Sequence, residues 1–263
     1  MAIFAGISGL LSVLVGWSVT VRLFALARRS RALPERLLAI AFGGLFCVGY
    51  PLAGASRVPA MIMTNEGALL FAMGAIGMVV GIAALARFPY VVFRADKQWA
   101  SALSVLIAIT GAVGGTGMAL VGAFAKSQEA MIASLQPWTI ALIASVGASY
   151  VWNGLESIRY YGKMKKRAAL GLANAETTHR FLLWALASAA TVALVAVIIA
   201  IRAAGLPIMA PLGTTLISCT TLVTTACWWL AFFMPDAYRR RVLGIEPDAA
   251  DPADDVAATQ GDA

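Results

Sequence analysis

Seven apolar runs constrain this chain more than any other feature. They fall at 2–27, 37–56, 66–87, 99–125, 135–158, 181–203 and 209–234, each near the roughly 20 residues that an α-helix needs to cross the hydrocarbon core of a bilayer. Lipid offers the backbone no hydrogen-bond partner, so a crossing segment must be a helix or a strand of a closed barrel. Runs of this length select helices. Composition agrees, with 60% hydrophobic and 13% charged residues against about 25% charged in a soluble domain. The mean hydropathy is +0.82. The expected fold is an all-α membrane protein, an antiparallel seven-helix bundle over 1–241. After it, 242–263 reads VLGIEPDAADPADDVAATQGDA, an acidic tail without aromatics that is expected to be disordered.

Orientation follows from the basic residues, which collect in cytoplasmic loops. With the N-terminus outside, all but three of the 20 Lys and Arg fall on the inner side. The exceptions are Arg57, Lys126 and Arg202. This split places the C-terminus inside and predicts a multi-pass protein of a bacterial inner membrane. The formal charge of +7 then points to the bilayer and its anionic headgroups, not to nucleic acid, because the cations flank apolar runs. The first run places its charges after the apolar stretch, the reverse of a cleaved signal. Cys47, Cys219 and Cys227 fall within apolar runs and read as small buried residues, not as a disulfide framework.

Glycines Gly74, Gly77 and Gly81, and the GAVGGTG string from Gly111, have the spacing that lets helix backbones approach closely. Pro34, Pro59, Pro89, Pro137, Pro207, Pro211 and Pro235 fall at segment ends or in loops, so the helices read as uninterrupted. The inner loops are expected to hold ten to twenty residues.

Several chemistries lack their residues. A retinal pigment needs a lysine in the last helix, and the seventh run has none. Bundle haem needs axial ligands such as paired His, and His179 is the single His. No carboxylate pair or nucleophile with a base sits at mid-membrane. No enzyme, metal site or cofactor is therefore expected.

Two groups of polar residues remain. The fifth run ends SYVWNGLESIRYYGKMKKR, in which Tyr150, Asn153 and Glu156 recur at three-residue spacing. Glu156 is the deepest carboxylate; it reads as a switch or ion site, or as a pair with Arg159 one turn on. On the seventh run, Thr214, Ser218, Thr221 and Thr225 fall on one stripe that Trp228 extends inward. The stripe reads either as helix-packing hydroxyls or as the polar wall of a ligand cavity closed by Trp228 and Trp229.

The stretches YYGKMKKRAALGLANAETTHRFLLW, from Tyr160, and WWLAFFMPDAYRRR, from Trp228, resemble bacterial seven-helix membrane proteins. Similar helical regions act as sensory input modules ahead of signalling domains. The shared features are a basic inner loop, a GLA turn and a Tyr-Arg-Arg exit from the last helix. This chain has Asn174 and Ala175 where the pattern has Asp-Pro. The resemblance implies a receptor-like module that binds a small or lipophilic ligand in the bundle and speaks to a cytoplasmic or membrane signalling partner. The alternatives are a small-molecule or ion transporter using Glu156, or an accessory subunit.

Overall fold

The computed structural model describes residues 2–125, 127–203 and 211–244. Its helices are α1 (Ala2–Ser30), α2 (Leu33–Ala55), α3 (Asn65–Phe93), α4 (Gln98–Phe124), α5 (Gln128–Ala168), α6 (Ala175–Ala203) and α7 (Pro211–Phe233). A short turn, Asp236–Tyr238, and a π-helical turn, Arg239–Leu243, follow. There is no strand among the described residues. All seven helices are long and apolar enough to cross a membrane.

The helix ends follow local rules. Thr64 Oγ1 and Ser127 Oγ accept backbone N–H groups at the starts of α3 and α5, at 3.0 and 3.2 Å. Asn174 accepts the Glu176 N–H at 2.7 Å, so Asn here does the capping work of an Asp. At the end of α5, Gly171 has a φ of 71°, and Leu172 N–H closes back on the Arg167 carbonyl at 2.9 Å. This is the GLA turn.

Each helix packs on the next, and α1 closes a ring against α7. Close backbone approach sets the antiparallel registers. A Cβ at Gly44 of α2 would lie 2.7 Å from the Gly77 carbonyl oxygen and 2.8 Å from the Gly81 nitrogen of α3. One at Gly114 of α4 would lie 2.6 Å from Leu142 N of α5. No side chain larger than hydrogen fits these crossings without moving backbone. The ring has two ends. The ends of α1, α3, α5 and α7 and the starts of α2, α4 and α6 form the basic end.

Four expectations change. The connections at the basic end are short, residues 31–32, 94–97 and 169–174, because α5 runs on through the basic stretch to Ala168. Tyr160 explains the extension, since its ring packs on Phe181 and Phe93 with centroids 4.8 and 5.5 Å apart. Pro89 and Pro137 lie inside α3 and α5, not at segment ends. Finally, α2 is interrupted, with Gly43–Gly49 wound as a π-helix, a form that commonly marks functional positions. Lys126, residues 204–210 with Pro207, and the expected disordered tail from 245 onward lie outside the described residues.

Candidate functional site

Among the described residues, two cavities lie between helices of the bundle, one at the basic end and one further along. The far cavity has a volume of about 510 Å³, within the range of small-molecule sites. Leu45, Ile82 and Val146 give it an apolar wall, and Ser12, Tyr50, Tyr150, Thr191, Thr221 and Thr224 are its polar groups. The cavity at the basic end has a volume of about 680 Å³ and includes Arg22, Arg29 and Arg180 among its lining residues.

One layer of side chains separates the two. On α2, Phe46 lines the far cavity and Leu38 the basic one; Phe42 is one turn from each. On α7 the corresponding residues are Thr224 and Phe232, with Trp228 between them. Phe42 meets Trp228 edge to face, with centroids 5.0 Å apart, and Trp184 meets Trp228 likewise at 4.9 Å. On α5, Asn153 lies between Tyr150 and Ser157, and on α3, Leu85 lies between Ile82 and Phe88.

Asn153 has a structural reason to be there. Pro89 cannot donate to the carbonyl four residues back, so its presence inside α3 orphans the Leu85 oxygen. The Asn153 side-chain amide donates to that oxygen at 3.3 Å and to its own helix at the Ser149 carbonyl at 2.9 Å. Asn153 is 1% exposed, so its replacement by Leu should cost about 1–3 kcal/mol through the unsatisfied carbonyl. In a Pro89→Ala background residue 89 regains its N–H, and the same replacement should cost at most half as much. Equal losses of denaturation midpoint in both backgrounds would refute this pairing.

Glu156 is held more firmly than its sequence neighbours suggest. Its two carboxylate oxygens accept from Arg94 Nε at 2.9 Å and Nη2 at 3.1 Å. Arg159 stands off at 3.5 Å. The Glu156 hydrogen bond, then its charge, raises the Arg94 pKa further above its ordinary value, so Arg94 stays charged. The expected pair with Arg159 is present as the longer contact, and a shorter fork from Arg94, across α3 and α5, is added to it. Arg94 follows the last residue of α3, where the turn into α4 carries its side chain back over α5.

The seventh-helix stripe divides. Thr214, Ser218, Thr225 and Trp228 are buried on a helix that packs against α1 and α6. Thr221 lines the far cavity and Tyr150 faces it across the bundle. Thr224, placed off the stripe by its angle, lines the cavity as well, its hydroxyl turned back to the Thr220 carbonyl at 3.0 Å. Trp229 is 38% exposed and stacks on Phe233, so Trp228 alone closes this level. Thr191 and Thr224 escaped sequence reasoning; a wheel centred one residue earlier on α7 would have found Thr224.

At the basic end, the stretches 160–184 and 228–241 come together. Glu176 binds both Arg180 and Arg239, the latter at 2.8 Å. His179 Nε2 and Tyr238 Oη lie 2.7 Å apart, and burial raises the Tyr238 pKa. The start of α6 is thereby pinned to the segment after α7. Arg180 and Arg239 together grip one carboxylate here.

Compared with family models, with curated proteins and with solved structures, the chain finds no match.

Proposed function

We propose that the protein is a receptor-like membrane module that binds a small lipophilic molecule in the far cavity, with its basic end on the cytoplasmic side. The observation that carries this reading is the far cavity itself: about 510 Å³, apolar, with a few hydroxyls inside the ring. Such a site suits a ligand with an apolar body and one or two hydrogen-bonding groups. Phe42 and Trp228 sit one turn from both cavities, so a ligand that moves them changes packing toward the basic end. There the α6 start and the segment after α7 are tied together, which offers a partner protein a composite surface. The resemblance to sensory input modules supports the same reading.

Apolar compounds screened against the purified protein should raise its melting temperature in a concentration-dependent way, by about 2.7 kcal/mol of stabilisation at a hundredfold excess over Kd. The shift should vanish in Val146→Trp, which fills the far cavity. Equal shifts in both proteins would place binding elsewhere.

A second reading, a carrier, draws on the alignment of the two cavities across one layer. In it, solute passes at Phe42 and Trp228, and Glu156 is a fixed strut, since it is not among the residues lining either cavity. Solute uptake into proteoliposomes would favour that reading, and substrate binding without uptake would favour the receptor.

A further inference from the structure

We propose that the cavity at the basic end is a binding site for a phosphate-bearing amphiphile whose head also carries a hydrogen-bond donor. The wall of this cavity selects such a ligand whatever the far cavity holds.

The wall combines two chemistries. Phe88, Trp184 and Phe232 give it an apolar floor, while Arg22, Arg29 and Arg180 face a single acid, Glu35. Three guanidiniums around one cavity make a strongly anion-attracting field, and Arg is suited to bidentate contact with phosphate oxygens. Internal partners only partly occupy them. Arg22 lies over the Phe233 ring, 5.1 Å from its centroid, a contact that leaves its N–H edges available. Arg180 gives Nη2 to Glu176, while its Nε is buried without a partner. No ion pair holds Arg29 among the described residues.

A second observation is independent of the cations. Ser157, on the α5 wall of the same cavity, is 1% exposed, and its hydroxyl has no hydrogen-bond partner. Buried polar groups are rarely left in that state, because each unmade bond carries the full desolvation penalty. Ser157 Oγ–H and Arg180 Nε–H both require an acceptor, and phosphate oxygens supply them. Glu35 Oε2 is also buried and unpartnered, and it requires a donor. A free anion meets only the first demand. A head that joins phosphate to an ammonium or hydroxyl meets both, and its apolar tail meets the aromatic floor.

Such a head belongs either to a bilayer phospholipid or to a soluble organic phosphate. Native mass spectrometry of the full chain in mild detergent would titrate dioleoylphosphatidylethanolamine, dioleoylphosphatidylcholine and phosphoethanolamine. We expect one bound phosphatidylethanolamine with affinity about tenfold above that for phosphatidylcholine, whose head lacks the donor for Glu35. Glu35→Gln should erase that preference. Arg22→Gln/Arg29→Gln should weaken binding by about tenfold or more, and Ser157→Ala tests the hydroxyl without altering charge. Phosphoethanolamine binding as tightly as the lipid would identify a soluble ligand; much weaker binding would identify a bilayer lipid. Either result supports the site. No binding of any of the three, or the same affinity in wild type, the double arginine variant and Ser157→Ala, would overturn the proposal.

Discussion

Replacing Arg94 with Met should lower the melting temperature by on the order of 10 °C, among the largest losses expected from any single substitution in this chain. The cause is the group left behind. The Glu156 side chain is 5% exposed and both its oxygens are committed to Arg94. Arg159, at 3.5 Å and 59% exposed, compensates poorly. A buried ion whose partner is removed costs far more than the intact pair contributes over an apolar pair of similar size. Arg94→Met/Glu156→Met should therefore melt within about 3 °C of the wild type, well above the single variant. A single variant as stable as the wild type would show the fork to be a surface contact of little energetic weight.

Trp228→Ala should cost about 3–5 kcal/mol, the range for truncating a buried aromatic, and should also join the two cavities. Trp228 is 3% exposed and edge-packed by Phe42 and Trp184, so its truncation opens a gap between those rings. The joining can be read chemically. In a chain with Cys47, Cys219 and Cys227 replaced by Ser, a cysteine at Thr191 should react slowly with a polar thiol reagent supplied at the basic end. Adding Trp228→Ala should speed the reaction by at least about tenfold. Trp228→Phe should keep most of the barrier. Equal rates in all three would show that this layer does not separate the cavities.

These two predictions mark what the sequence did and did not disclose. The seven apolar runs, the small-residue spacings and the gathering of basic residues at one end were all legible, because each depends on local pattern. Gly74, Gly77 and Gly81 pack on α2, and Trp228 is buried with its face of α7. What could not be read was pairing across the bundle. Glu156 has one partner three residues away, at 3.5 Å, and a closer one 62 residues away, which only the fold of α3 on α5 brings to it. Asn153 reads from the sequence as one of a polar row and Pro89 as a segment end, and only the bond to the Leu85 carbonyl joins them. Helix length was misjudged at α5 because Lys and Arg flanking an apolar run look like loop, although the Tyr160 packing and the Gly171 stop carry the helix to Ala168. Of the cavity hydroxyls only Thr221 and Tyr150 were found, since a wheel angle cannot tell a packed face from a cavity edge.

The far cavity is the centre of this account, and native mass spectrometry of the protein released from mild detergent tests it most directly. The wild type should carry one apolar small molecule at a fixed one-to-one ratio. That species should be lost in Val146→Trp and kept in Thr225→Val and in Arg22→Gln/Arg29→Gln, which leave the far cavity intact. A wild type with no such species, or a Val146→Trp variant that retains it unchanged, would contradict the reading of the cavity as a ligand site.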